Sequence, residues 1–146
     1  MPNTLLIIDD SPDDALLLEQ LLRRKCVANP IRTVSDGLTA MDYFLGKEPY
    51  NDREQYPLPM LIFLDLGLPG RSGLRILEWL KEHPEVPRPR VVIYTQQTEY
   101  AELEKAYALG ADVGLIKETL KEQLPNVLAL LSEVWEFGDP PKQEVS

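Results

Sequence analysis

Short apolar-rich runs alternate with amphipathic helical patterns five times along the 146-residue chain. The run Leu61–Leu64 is too short for a helix and is typical of a strand that is buried on both faces of a sheet, and Thr4–Ile8 also reads as a buried strand. Repeated strand–helix alternation predicts a parallel sheet covered by helices on both sides, and five such units commonly take the strand order 2-1-3-4-5. The predicted strands are Thr4–Ile8, Ile31–Val34, Met60–Leu64, Arg90–Tyr94 and Val113–Ile116.

Cap and stop residues set the bounds of the predicted helices. Because Pro125 is tolerated only in the first turn of a helix, the last helix is expected to begin at about Leu124, despite an earlier capping-box pattern from Thr119 to Glu122. Its apolar stripe extends to Trp135, and Leu130 and Phe137 widen it, which predicts weak self-association as a homodimer. The alternative is that the aromatic residues at its end fold back onto the domain. The other predicted helices run from Ser11 to about Cys26, from Asp36-Gly37 to Leu45, over Gly73–Glu82 and over Glu99–Leu109.

The chain length and the absence of internal repeats indicate a single domain. We expect this domain to occupy residues 1–137 and the tail of residues 138–146 (GDPPKQEVS) to be disordered. Residues 46–59 form a polar connection that is longer than usual in an α/β unit, which predicts either a binding loop or a mobile one.

The composition excludes several classes of function. The chain has 24 acidic and 15 basic residues and a formal net charge of −9, which argues against a surface for nucleic acid or for an anionic membrane. No apolar run could span a bilayer and the N-terminus shows no export signal, so we expect a cytoplasmic protein. The single cysteine excludes an internal disulfide, and one cysteine with one histidine does not suit a zinc site.

Polar side chains with chemical potential stand at the carboxyl ends of four predicted strands: Asp9 and Asp10, Asp65, Thr95 and Lys117. In the strand order 2-1-3-4-5 the first and third strands are neighbours, so three carboxylates crowd one edge of the sheet with Lys117 within reach. Such carboxylates repel one another unless a cation intervenes, which favours a divalent metal, most often Mg²⁺. Asp65 would then be a nucleophilic acceptor for a phosphoryl group. The alternative is that the acids only cap loops and helices.

Together with Pro69 and Gly73, these residues resemble the pattern of bacterial two-component response-regulator receiver domains. The resemblance covers about residues 3–137 and implies the flavodoxin-like fold of this CheY-like family. It implies a single-domain regulator that receives a phosphoryl group from a sensor histidine kinase or a phosphotransfer protein and then binds a downstream protein target. The long polar loop is similar to that of stand-alone receivers that partner phytochrome-like kinases.

The resemblance also implies a role for each residue at this edge of the sheet. Asp65 would be the phosphoacceptor, Thr95 would hydrogen-bond the phosphoryl group and Lys117 would pair with it. The implied Mg²⁺ ligands are Asp10, Asp65 and the backbone carbonyl of Gly67, with Asp9 acting through a metal-bound water.

Several positions depart from the family pattern. Glu118 replaces the proline that usually follows the lysine, and Gly114 replaces an aromatic residue on the fifth strand. In the family that ring follows the hydroxyl at the Thr95 position when the domain is phosphorylated. Without the ring, we predict a response confined to the loop Gln96–Thr98 and the start of the fourth helix, with the fifth strand nearly silent. The alternative is that one of the nearby aromatic residues Tyr94, Tyr100 and Tyr107 takes the place of the ring. Gly67, which is small, and Gln96, which is large for its position, flank the acceptor.

Three functions follow from these residues. The first is a phosphorylation-controlled switch, and the second is a degenerate receiver that docks a partner regardless of phosphorylation. The third is a phosphohydrolase with an aspartyl nucleophile, a chemistry that generally needs a second acid two residues after the nucleophile. Gly67 occupies that position, so we do not expect an enzyme.

Overall fold

The computed structural model describes residues 3–69, 72–96 and 101–139, and it confirms a parallel sheet of five strands. The strand order is β2-β1-β3-β4-β5, as the alternation predicts. The strands are β1 (Thr4–Ile8), β2 (Ile31–Val34), β3 (Pro59–Leu64), β4 (Arg90–Thr95) and β5 (Val113–Ile116). The helices are α1 (Pro12–Arg24), α2 (Gly37–Leu45), α3 (Ser72–Glu82), α4 (Leu103–Ala108) and α5 (Leu120–Ala129).

The sheet is buried between two layers of helices, which explains why its central strands are apolar without alternation. Residues such as Leu5 and Ile7 on β1 face α1 and α5 in one core cluster. Their neighbours Leu6 and Ile8 face α2, α3 and α4 in the other. The central residues of β1 and β3 are therefore buried on both faces of the sheet, and polar side chains lie only at the ends of these strands.

The predicted caps of the first two helices are present. The hydroxyl of Ser11 accepts a hydrogen bond from the backbone of Asp14 at 3.3 Å, and Pro12 opens α1. The carboxylate of Asp36 accepts one from the backbone of Thr39 at 2.7 Å, and α2 ends at Gly46 in the left-handed region at φ 69°. These caps fix where the chain leaves β1 and β2.

The predicted start of the last helix is wrong. Helix α5 begins at Leu120, after a 3₁₀ turn over Lys117–Thr119, and it contains Pro125 in its interior. Proline removes one backbone hydrogen bond there. The burial of Leu120 and Leu124 in the core beneath α1 outweighs that loss, because each side chain is almost fully withdrawn from water.

The predicted helical stripe to Trp135 is also wrong, since α5 ends at Ala129. The chain reverses at Leu131, whose φ is 46°, and folds back so that Trp135 is buried beside Phe63. Phe137 pairs with Val27 in an antiparallel bridge, although its side chain stays exposed. Trp135 therefore follows the alternative, in which the aromatic end of the segment folds back onto the domain. Self-association stays a prediction, but it loses the continuous helical stripe on which it rested.

The long loop at 46–59 is packed against the domain. The rings of Tyr50 and Tyr56 lie 5.1 and 6.0 Å from the buried ring of Tyr43 on α2. The guanidinium of Arg53 donates to the backbone carbonyls of Tyr43 and Phe44, both at 2.8 Å, and so caps the end of α2. These contacts oppose the prediction of a mobile loop.

Some predicted features fall outside the described residues: the start of the fourth helix at Glu99 and Tyr100, most of the loop Gln96–Thr98, and residues 140–146 of the predicted tail. At the beginning of that tail, Gly138 donates a backbone hydrogen bond to Cys26 at 2.8 Å. Across the described ranges, no helix combines the length and the apolar character that a membrane span requires.

Candidate functional site

The site is built where β1, β3, β4 and β5 end at one edge of the sheet. Ile8 pairs with Leu64 in the β1–β3 ladder, and the backbone N–H of Asp65 continues the ladder to Ile8 at 3.1 Å. This pairing brings the residues that follow the two strands, Asp9 and Asp65, side by side. Thr95 ends β4 opposite Ile116 of β5, so Lys117 follows directly beside it.

Lys117 is the centre of this site. Its ammonium lies 2.9 Å from Asp9 Oδ2, 2.9 Å from Asp14 Oδ2 and 3.1 Å from Asp65 Oδ2. Burial alone would lower the pKa of Lys117, but the hydrogen bonds to Asp14 and Asp9 and the charge of Asp65 raise it above its ordinary value. The side chain is therefore a fixed cation among carboxylates, as the predicted reach from β5 to β3 requires.

Asp65 has all its oxygens engaged. Oδ1 accepts from the backbone of Gly67 at 2.8 Å and from the hydroxyl of Thr95 at 3.3 Å, while Oδ2 accepts from Lys117. Burial raises the pKa of Asp65, and the nearby Asp9 adds to the rise, whereas the Gly67 N–H and Lys117 oppose it. The hydrogen-bond donors around this buried carboxylate could also stabilise the negative charge of an anionic group attached to it.

Oxygens of Asp9, Asp10 and Asp65 lie within 4.8 Å of one another, close enough to surround one cation. Asp9 and Asp65 are buried and Asp10 is exposed, so a cation would enter from the solvent side. One ammonium cannot neutralise the acids gathered here, and hard oxygen donors suit a divalent metal such as Mg²⁺ or Mn²⁺. Beside them is an open cleft of about 210 Å³, lined by Asp10, Ser11, Asp14, Asp65, Gly67, Gln96 and Lys117.

Sequence reasoning missed two residues that touch the centre of the site. Asp14, in the first turn of α1, binds Lys117 although it appeared only as part of an acidic helix start. Tyr94, on β4, is fully buried, and its hydroxyl donates to Asp9 Oδ2 while Lys117 Nζ lies 4.9 Å from the centroid of its ring. Burial and the neighbouring carboxylate of Asp9 raise the pKa of Tyr94 far above its usual range. The signal in the sequence was position alone, since Tyr94 directly precedes Thr95.

The structure accommodates Glu118 and Gly114, two residues that depart from the family pattern, without disrupting the site. The peptide bond between Lys117 and Glu118 is trans, and the lysine still reaches the acids. The space beside Gly114 is filled from α4: a Cβ placed on this glycine would lie 2.7 Å from the Tyr107 hydroxyl and 2.8 Å from a methyl of Leu103. Side chains of α4 thus occupy the place where β5 lacks one.

Comparison with known proteins decides the family. Residues 5–129 match the profile of the response regulator receiver domain, which spans most of the chain. The chain belongs to the response regulator receiver domain family. As a receiver domain it is a phosphoacceptor type of signalling domain in two-component systems, and the predicted CheY-like fold is confirmed.

The relatives of this receiver domain include other response regulators, among them a bacteriophytochrome response regulator. The response regulator Rcp1 from Synechocystis sp. is 28% identical over 134 residues, which cover 92% of this chain and 89% of Rcp1. A crystal structure of the Mn²⁺-bound form of Rcp1 aligns with a TM-score of 0.76 at 26% identity, covering 94% of this chain and 100% of that one. The bacteriophytochrome response regulator RtBRR aligns with a TM-score of 0.77 at 30% identity, covering 97% of this chain and 85% of its own.

Proposed function

We propose that this receiver domain accepts a phosphoryl group on Asp65 from a histidine kinase or a phosphotransfer protein, and that phosphorylation controls its binding to a downstream protein. The observation that carries the proposal is the set of donors on Asp65. Lys117 lies at one carboxylate oxygen and the Thr95 hydroxyl at the other, beside an open cleft. Similarity to RtBRR favours a phytochrome-like kinase as the source of the phosphoryl group.

The transfer needs an ionised carboxylate that points at the donor. Lys117 favours the ionised form of Asp65 although burial opposes it. An oxygen of Asp65 would attack the phosphorus atom, the bond from phosphorus to the leaving group would break, and the leaving group would keep the electron pair. Lys117 and Thr95 would then donate hydrogen bonds to the new phosphoryl oxygens.

A divalent cation, Mg²⁺ in the cell, would neutralise the charge of those phosphoryl oxygens when bound. Asp10, Asp65 and the carbonyl of Gly67 would hold it, and Asp9 would act through a water. The closeness of the three carboxylates supports this assignment. Rcp1, in its Mn²⁺-bound form, is a relative in which a divalent metal is present.

Intact mass spectrometry after treatment with acetyl phosphate tests the assignment. We expect one phosphoryl group on the wild type only when Mg²⁺ is present, and none on Asp65→Asn. Asp112→Asn is the matched control, since it also removes one carboxylate but lies at the opposite end of β5, where it accepts from the backbone of Val91. An adduct that persists in Asp65→Asn, or one independent of Mg²⁺, would refute the assignment.

The same experiment separates the second candidate function. Gly114 and Glu118, which depart from the family pattern, favour a degenerate receiver that binds its partner in either state. A protein that takes up no phosphoryl group while it retains a folded structure would support that function in place of a switch.

A further inference from the structure

Tyr94 makes contacts that neither its burial nor its strand position requires. It belongs to the core face of β4 that lies against α1 and α5, where its ring packs edge-on to Phe63 with centroids 6.2 Å apart. An apolar side chain would fill that place without a polar atom to satisfy. Instead, the hydroxyl reaches the edge of the sheet and donates to Asp9.

Asp9 depends on that hydroxyl because its side chain is completely buried. Its Oδ1 accepts from the backbone of Ser11 at 2.9 Å, and its Oδ2 accepts from both Tyr94 and Lys117. A buried carboxylate oxygen without a donor is costly. The two donors on Oδ2 therefore fix the direction of the carboxylate together, and removing either one weakens that constraint.

Lys117 is the donor that can be lost. An ammonium group has three N–H donors, and here all three are directed at carboxylates, on Asp9, Asp14 and Asp65. A phosphoryl oxygen on Asp65 could bind Lys117 only if the ammonium turned away from at least one of its present partners. Among the described residues the Tyr94 hydroxyl donates to Asp9 alone, so this hydrogen bond does not depend on where Lys117 points.

We propose that Tyr94 is a positioning residue of the cation site, whose hydroxyl holds Asp9 in place toward a divalent cation while Lys117 turns to the phosphoryl group. The proposal rests on the divalent-cation site of the proposed function. Asp9 would reach the cation through a water, and removal of the outer-shell groups that orient a metal site commonly changes metal affinity by about 10–100-fold.

The chain offers a matched control for removing this hydroxyl. Tyr43 is also fully buried, and its hydroxyl also donates one hydrogen bond, to the carbonyl of Pro57 at 2.8 Å, far from the acids. Tyr94→Phe and Tyr43→Phe therefore remove the same group from equally buried rings. Only the first touches the site.

Calorimetric titration with Mn²⁺ tests the proposal without any measurement of phosphorylation. We expect Tyr94→Phe to bind Mn²⁺ about 10–100-fold more weakly than the wild type and Tyr43→Phe to bind it as the wild type does. Urea unfolding without metal monitors the fold, and the stabilisation gained at a fixed Mn²⁺ concentration should shrink only in Tyr94→Phe. Wild-type affinity in Tyr94→Phe, or an equal loss in both variants, would overturn the role of Tyr94.

A measurement on the wild type covers the case in which Tyr94→Phe does not fold. The hydroxyl proton of Tyr94 can be assigned by NMR through the ring protons of Tyr94, which are identified by the packing of that ring against Phe63. Mg²⁺ should shift the hydroxyl proton of Tyr94 while leaving that of Tyr43 unchanged. Equal or absent shifts would contradict the proposal. If the wild type itself binds neither Mn²⁺ nor Mg²⁺, the cation site fails and this proposal fails with it, whereas tight binding that Tyr94 does not affect refutes only the role of Tyr94.

Discussion

Gly73, at the start of α3, lies against the backbone of the acceptor residue Asp65. Replacing Gly73 with alanine should therefore strain the backbone of the site. A Cβ on Gly73 would lie 2.6 Å from the carbonyl oxygen of Asp65 and 2.9 Å from the Cα of Leu66. Both atoms belong to the backbone, so α3 or the loop after β3 must move. Overpacking of this kind costs about 1–3 kcal/mol, and alanine recovers at most about 1 kcal/mol over glycine in a helix.

Because both clashing atoms are backbone atoms, the upper part of that range, about 2–3 kcal/mol, applies. Less the gain from alanine, we expect Gly73→Ala to lower the free energy of unfolding by about 1–2 kcal/mol, and each kcal/mol corresponds to about 2–4 °C in Tm in a domain of this size. Phosphorylation by acetyl phosphate should slow as well, because the displaced backbone carries Asp65. Urea denaturation monitored by circular dichroism measures the first effect, and the rate of mass increase measures the second.

Gly114→Ala is the matched control. Its Cβ would also meet atoms at 2.7 and 2.8 Å, but these are the ends of the side chains of Tyr107 and Leu103. Tyr107 is 45% exposed and can swing outward, and the gain of about 0.5–1 kcal/mol that alanine has over glycine in a strand offsets part of the cost of moving the buried Leu103 side chain, so we expect a smaller loss of stability than in Gly73→Ala. If Gly73→Ala is as stable as the wild type, or if Gly114→Ala costs more than Gly73→Ala, the reasoning from backbone contact is wrong.

Three further predictions concern groups around the site and the loop. Burial raises the pKa of Tyr43 to about 12, so the folded state favours the neutral phenol. The stability that this group contributes is fully present below about pH 10, and the free energy of unfolding falls by up to about 3 kcal/mol as the pH approaches 12. When urea unfolding is followed against pH, the fall should be less steep in Tyr43→Phe. Asp14→Asn removes the most exposed carboxylate partner of Lys117, which has 38% side-chain exposure. Because a partly exposed ion pair is weak, freeing Lys117 from it should raise the initial rate of phosphorylation by acetyl phosphate only about 2–5-fold. A slower reaction would contradict this. With beryllofluoride, a phosphoryl mimic, the amide shift of Thr95 should exceed that of Gly114 in NMR spectra, and equal shifts would refute a response that bypasses β5.

The features that the sequence predicted well are those fixed by local pattern and by topology. The predicted bounds of all five strands agree with the structure within one residue at either end. In β1, β3 and β4 the apolar run itself marks the strand because these strands are largely buried, whereas β2 is an edge strand whose Arg32 and Thr33 are exposed. Once the strand order is known, the neighbourhood of Asp9, Asp65 and Lys117 follows, because parallel strands end at the same edge.

The features that the sequence could not predict depend on tertiary packing. A local rule for proline placed the start of α5 four residues too late, because it cannot weigh the burial of Leu120 against one lost hydrogen bond. The contacts of Asp14 and Tyr94 with the site could not be predicted, because the first depends on how the long side chain of Lys117 bends and the second on where a buried ring directs its hydroxyl. The two tyrosines within residues 46–59 were the available sign that this polar loop packs against α2.

The packing of residues 46–59 bears on how this domain opens in solution. One guanidinium, that of Arg53, joins the end of α2 to the loop, and the tyrosine rings cover the same junction. Neither part can leave without exposing backbone carbonyls that the other satisfies. Amide hydrogen exchange should therefore report α2 and this loop as one cooperative unit with a common opening free energy, rather than as a protected helix followed by a rapidly exchanging loop.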